Sequence, residues 1–325
     1  MKIWICASIP NTTEIDLVGG YIGSYQEKFN PSEHLCLVGN DFESDMILVP
    51  HDAKYFFKNT AYLQYLKGLS LKKPLLISNR SDFPVNILLP NSTFLRVGLE
   101  PSEKVMNTII IPYNIISLSH LPLNEYHDNP KVGFTGLVPE LSIGRSLKSI
   151  RKSPRHPILA NGAIVRRLAL QKLRKTSLNQ EIIIRKTYGG VSRLVSNAEK
   201  KRHEYINNIG ESDFVLCPRG DSNASLRFYE TLSAGRIPLI PDTQIKLPYL
   251  ENVNLKKITV EFSLFNNKIE TKLQEFWEHL NSDKYTEIQV DLRALFDKHY
   301  KFEVFLKNLL NADIKNFYKY ILRNF

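Results

Sequence analysis

Short apolar runs recur along the first half of the chain, and their length leaves few folds open. They fall at Lys2–Ser8, His34–Val38, Met46–Pro50, Pro74–Ser78, Ile87–Leu89 and Thr108–Pro112. Each suits a buried strand and is too short for an independent helix. Between them lie two helical candidates, Tyr21–Lys28 and Asp52–Lys67, the second spaced through Tyr55, Phe56, Tyr62, Leu63 and Leu66. Strands alternating with helices predict βαβ units and a mainly parallel sheet.

The pattern breaks at Ser117–Pro130, which is polar, carries two prolines and has no periodicity, and so reads as a linker. A second α/β pattern follows: strand candidates at Lys131–Gly136, Ile182–Arg185, Asp213–Cys217 and Ile237–Pro241, and helices at Asn161–Lys175, Ala198–Ile209 and Ala224–Ala234. Gly235 is placed to end the last of these helices in the left-handed conformation. Lys268–Phe325 reads as a helical, aromatic tail. The expected fold is therefore α/β, with an N-terminal Rossmann-like domain over 1–125 and a second over 126–325 that includes the tail. The two would face each other across a cleft, with ligands bound beyond the carboxyl ends of the strands. A length of 325 residues agrees with two domains.

The net charge of +10 is unevenly distributed. Arg145–Tyr205 holds sixteen Lys and Arg against three acidic residues, which points to a polyanionic partner such as a diphosphate, nucleic acid or anionic lipid. The block has few aromatics for stacking on bases and no recognition motif, so a nucleic-acid module is the weaker reading. Cys6, Cys36 and Cys217 offer neither a disulfide framework nor zinc spacing. No run is apolar enough to span a bilayer, and Lys2–Ser8 reads as a strand rather than a signal peptide. A cytoplasmic location is expected. Peripheral membrane contact is the further expectation, through the basic block and through a tail where Lys298, Lys301, Lys307, Lys315, Lys319 and Arg323 alternate with Phe and Leu.

Phe214–Asp242 carries the most chemistry: a strand, a polar Gly-containing loop, a helix and another strand. A helix N-terminus presents unpaired N–H groups that suit a phosphate. Ser225 adds a hydroxyl there, and Arg219 and Arg227 add donors able to grip phosphate oxygens in pairs. Glu230, one turn after Arg227, could accept from ribose hydroxyls or simply pair with that arginine.

In order, Cys217-Pro218-Arg219-Gly220, Ser225, Arg227, Glu230, Gly235, Ile237-Pro238, Asp242 and Leu247-Pro248 resemble the donor-binding signature of the exostosin-like glycosyltransferases. Weaker similarities fall at Asp45–Pro50, Ile109–Pro112 and Val132–Gly136. The resemblance implies a GT-B architecture, a nucleoside-diphosphate sugar donor (most often UDP-linked), a glycan or lipid-linked glycan acceptor, and usually inversion at the anomeric carbon. The donor-binding residues it implies are Arg219, Gly220, Ser225, Arg227 and Glu230, joined by Gly136 and Arg145 at the turn and basic segment after Lys131–Gly136. A fucosyltransferase-like GT-B enzyme with a GDP donor is the alternative within enzymes.

An inverting transfer needs a base for the acceptor hydroxyl and fixed positive charge for the leaving diphosphate. The base is expected just after a strand of the first domain, at His51-Asp52 or at Asp82, although aspartate in such places ordinarily caps a helix or makes a turn. No Asp-x-Asp element occurs, so no cofactor or metal is expected, with basic side chains taking the cation's part.

Overall fold

The computed structural model describes residues 1–7, 36–80, 85–101, 103, 107–185, 198–249, 255 and 258–311. The expected helix Tyr21–Lys28 and the candidate base Asp82 lie outside them.

The first unit is a parallel five-stranded sheet in sequential order, β1 (Ile3–Ile5), β2 (Met46–Leu48), β3 (Leu75–Ser78), β4 (Ser92–Arg96) and β5 (Thr108–Ile110). Its strands are short, apolar and buried on both faces, as parallel strands covered on both sides must be. Alternate residues feed two cores. Ile47, Val49, Leu75, Ile77 and Phe94 pack with Ala53, Phe56, Tyr62 and Leu66 of helices α1 (Ala53–Phe56) and α2 (Thr60–Ser70). Met46, Leu48, Leu76, Leu95 and Val97 pack on the opposite face.

Two local expectations are corrected. The single helix over Asp52–Lys67 is two, because the Asn59 side chain accepts from the Tyr62 amide and caps a new start. The strand expected at Ile87–Leu89 lies instead at Ser92–Arg96. Leu88 is largely exposed, Pro90 has no N–H to give a ladder, and β3 pairs with the residues after Asn91.

The second unit is also parallel and five-stranded, but its order is β10-β9-β8-β6-β7. Its strands are β6 (Lys131–Leu137), β7 (Asn179–Arg185), β8 (Phe214–Leu216), β9 (Ile237–Pro241) and β10 (Val260–Phe262). The connecting helices are α3 (Ile143–Lys152), α4 (Gly162–Leu173), α5 (Ala198–Gly210) and α6 (Leu226–Ser233), followed by α7 (Ile269–Glu278) and α8 (Ser282–Leu295). After β7 the chain returns to the other side of β6, so the strand order reverses between β6 and β8. Gly235 ends α6 at φ +72°, as its position predicts. An added Cβ there would also stand 2.8 Å from the Gln289 carbonyl oxygen.

Ser117–Pro130 forms no regular element, yet it is fastened to the second unit. The Leu118 amide donates to Ser233, and the Asn124 amide to Gln289 Oε1. Buried Arg236 donates to the Pro122 carbonyl, Asn124 Oδ1, Gln289 Oε1 and the carbonyls of Gly210 and Ala234. Burial pushes its guanidinium down to about 10.

After α8 a π-helical turn (Phe296–Tyr300) leads to α9 (Phe302–Asn311), which crosses back to the first unit. Phe302, Phe305, Leu306, Leu309 and Leu310 are buried in the core over β2–β5. Over 302–311 the tail thus packs across the two units, while Lys315, Lys319 and Arg323 of the expected membrane-facing series lie outside the described residues. Among the described residues no helix is long and apolar enough to cross a membrane.

The two Rossmann-like units meet at their carboxyl edges, the GT-B-like arrangement expected. The loop after β4 touches the loop after β8: an added Cβ on Gly98 would lie 2.7 Å from the Asn223 carbonyl oxygen.

Candidate functional site

Where neighbouring parallel strands send their chains in opposite directions, their carboxyl ends diverge and leave a crevice that can take a ligand. Here that point lies between β6 and β8. Thr135 and Gly136 form one side, Leu216 and the Cys217–Ser225 loop the other.

Arg227, in the first turn of α6, spans the crevice. Its Nη1 donates to the Leu216 carbonyl (3.1 Å), its Nη2 to the Thr135 carbonyl (2.5 Å) and its Nε to the Tyr205 hydroxyl (3.3 Å). The guanidinium lies 4.5 Å over the Phe134 ring, a cation–π contact. A Cβ on Gly136 would come within 2.9 Å of Arg227 Nη2, so glycine there lets the side chain lie against the strand. An arginine carries five N–H donors, and these bonds use three.

Glu230 follows one turn later and is buried. It accepts from Arg202 Nη1 (2.7 Å) and from the Tyr205 hydroxyl (2.5 Å). Tyr205 thus joins Arg227 to Glu230, and burial, with the Glu230 charge beside it, pushes its phenol well above the usual tyrosine range. Spacing allowed a direct Arg227–Glu230 pair, but the structure places Tyr205 and Arg202 of α5 between and beside them. Sequence reading missed both residues. The available signal was their i, i+3 spacing at the end of the basic block.

Ser225 occupies the N-cap position of α6 in extended backbone, but its side chain makes no capping bond. The loop before it is tightly held. The Gly220 amide donates to the Ala224 carbonyl, and buried Asn223 exchanges hydrogen bonds with Thr243. The Cys217 thiol, pushed up to about 12 by burial, packs beside Thr231.

Arg219 lies in the loop after β8, and its side chain pairs with the first unit. Its side chain is fully buried and both Nη atoms bind the Glu100 carboxylate of the first unit at 2.7 Å. It also donates to the carbonyls of Leu159, Gly220 and Asp221. Arg145 is half-exposed on α3, 3.7 Å from the Asp221 carboxylate. Arg166, not anticipated, braces the mouth of the crevice through the carbonyls of Leu137 (2.7 Å) and Arg219 (3.1 Å).

Two of the candidate bases, His51 and Asp52, lie on the carboxyl edge of the first sheet. His51 is buried, with its ring edge-on to Tyr62 at 5.9 Å. Asp52 is buried too: its carboxylate caps α1 at Lys54 and accepts from the Ser78 hydroxyl (3.0 Å) and the Arg80 amide (2.9 Å). Asp52 therefore does what an aspartate before a helix ordinarily does, and it also ties the β2 and β3 ends together.

Residues 131–272 match the Exostosin GT47 domain. That span contains the crevice residues described above, from Thr135 to Glu230, so the resemblance drawn from the Cys217–Asp242 order holds. The segment is thus similar to the glycosyltransferase domain of the exostosin family. No curated protein matches the chain in sequence. Among solved structures, a glycosyltransferase from Rickettsia africae ESF-5 is similar at 12% identity, over 85% of this chain and 89% of that one, with a TM-score of 0.35. TarM is similar at 12% identity, over 82% and 54%, with a TM-score of 0.37. Anabaena Alr3699/HepE in complex with UDP-glucose is similar at 12% identity, over 82% and 77%, with a TM-score of 0.34. The fold described here rests on its own sheet order, not on these likenesses.

Proposed function

We propose, from an Exostosin GT47 domain over residues 131–272, that the protein transfers a sugar with inversion from a nucleoside-diphosphate donor, UDP by preference, to a hydroxyl of a growing glycan or glycolipid. One observation carries this reading. At the β6/β8 switch point, Arg227 keeps two N–H donors beyond its three bonds, beside an α6 N-terminus that the Ser225 side chain does not cap. Together they offer fixed positive charge to a diphosphate, and the charge would matter most as the leaving group departs.

In this reading Glu230 addresses the ribose, with Arg202 and Tyr205 holding its carboxylate in place. Gly136 and Gly220 give the donor close approach to backbone, Ser225 offers its hydroxyl, and Arg145 lies at the outer end of the phosphate path. Arg219 acts through its pairing with Glu100, fixing the loop rather than touching the phosphate. Basic side chains take the part of a divalent cation. The base comes from the opposite unit, where His51 is the titratable group at the end of β2 and Asp52 holds its loop; Asp82 is the other residue assigned to this role.

The test is thermal denaturation with UDP, GDP, CMP and their sugar conjugates, since a ligand bound only by the folded state raises Tm. A selective UDP shift that is lost in Arg227→Ala and Glu230→Gln supports the reading. A GDP-only shift would replace the donor, and no shift with any nucleotide would remove the donor site from this crevice.

A further inference from the structure

Helix α3 presents its sides the wrong way round for an ordinary surface helix. Two of its polar residues, Ser149 and Lys152, face the protein. Ser149 is buried, and Lys152 Nζ reaches the Glu100 carboxylate at 3.3 Å and the Asp221 carbonyl. Just past the helix end, the Ser153 hydroxyl donates to the Pro101 carbonyl. The apolar side faces outward: Ile143 is 81% exposed, Leu147 53% and Ile150 49%, with Leu141 54% exposed just before the first turn. Positions 143, 147 and 150 lie on one face of a helix, so these side chains form a continuous stripe. Exposed aliphatic stripes of this kind mark interaction surfaces.

The rim of the stripe identifies the partner. Lys148, Arg151 and Arg155 are exposed beside it, and no acidic residue occurs between Leu141 and Ile158. Glu140 precedes the stripe and Asp221 approaches Arg145 at 3.7 Å, but the helix itself carries only cations. Aliphatic side chains beside such cations match a bilayer surface with anionic headgroups: the former enter the acyl boundary and the latter sit at the phosphates.

We propose that α3 is a docking helix for an anionic lipid surface. It follows β6, whose carboxyl end walls the donor crevice, so docking brings that crevice to the membrane and selects a lipid-linked acceptor. The acceptor part rests on the transferase reading; the docking does not.

Flotation of the full chain with phosphatidylcholine vesicles, with and without phosphatidylglycerol, tests it. The protein is expected to float with the anionic vesicles only, and added salt should weaken binding. Leu147→Ser/Ile150→Ser should lower the bound fraction about tenfold while keeping Tm and any UDP shift, because both side chains are already exposed. Lys148→Gln/Arg151→Gln should also lower it and reduce its salt dependence. No binding by the parent, equal binding to neutral vesicles, or undiminished binding by the Leu147/Ile150 variant would overturn the proposal. A dimer dissolved by Leu147→Ser/Ile150→Ser without any lipid binding would assign the stripe to a second copy and overturn it as well. Vesicle binding without a nucleotide shift would sink the transferase reading and leave the docking intact.

Discussion

Arg219 and Glu100 form a bidentate ion pair, two contacts of 2.7 Å, between the Cys217–Ser225 loop of one unit and the loop after β4 of the other. The arginine side chain is fully buried and the glutamate nearly so, and Lys152 shares the carboxylate at 3.3 Å. A guanidinium matches a carboxylate in this way because its donors form a rigid planar fork. The pair therefore fixes the relative position of the two loops that border the cleft.

Removing the arginine leaves the buried Glu100 carboxylate with Lys152 as its remaining charge partner and takes a donor from the carbonyls of Leu159, Gly220 and Asp221. Arg219→Ala should cost about 3–5 kcal/mol, read as a lower urea midpoint at unchanged m-value. Arg219→Met/Glu100→Leu should recover part of the loss, because an apolar pair needs no desolvation. Unchanged stability with abolished nucleotide binding would make Arg219 a phosphate ligand instead.

Tyr205 gives the structure an alkaline limit. Its phenol is raised in the folded state, so its contribution to stability is fully present below the ordinary tyrosine value of about 10 and is lost as pH rises through the raised folded value. Tyr205→Phe should lose about 1.5–3 kcal/mol near neutrality, the worth of a hydrogen bond to a charged group. The gap between variant and parent should narrow above pH ~10. A gap independent of pH on urea titration would contradict the assignment.

The three cysteines should differ sharply in reactivity. Cys36 is exposed, whereas burial holds Cys6 up to about 11 and Cys217 up to about 12. The thiolate is the reactive form. A thiol reagent at mildly alkaline pH should label Cys36 alone in the native protein and all three after denaturation. Rapid native labelling of Cys217 would mean that the Cys217–Ser225 loop opens.

Leu306 tests the return of α9 to the first unit. It is fully buried in the core over β2–β5, and Leu306→Ala should cost about 2–5 kcal/mol. A loss below 1 kcal/mol, about what an exposed leucine would give, would show that α9 does not complete that core.

Much of this architecture was legible from local pattern. Short apolar runs alternating with helical segments dictated two parallel sheets, since that periodicity reflects burial on both faces. The Cys217–Asp242 order located the loop, the helix that carries Arg227 and Glu230, and the glycine whose positive φ ends it. Local errors came where one side chain outweighed a long-range pattern: Asn59 restarted a helix, and the stretch before Pro90 gave up a strand to Ser92–Arg96.

The sequence alone determined the elements, because hydrophobic period, caps and turn residues act between near neighbours. Tertiary structure decided the partners. The reversal of strand order set β8 beside β6 and so laid Arg227 across Thr135 and Leu216. The packing of α5 gave Glu230 its Arg202 and Tyr205, and the approach of the two units gave Arg219 its Glu100. The same fixing of α3 through Lys152 turned Ile143, Leu147 and Ile150 outward. A charge takes whichever opposite charge the folded chain brings within hydrogen-bond reach, and for Arg219 that partner lies 119 positions away, where no local pattern points to it.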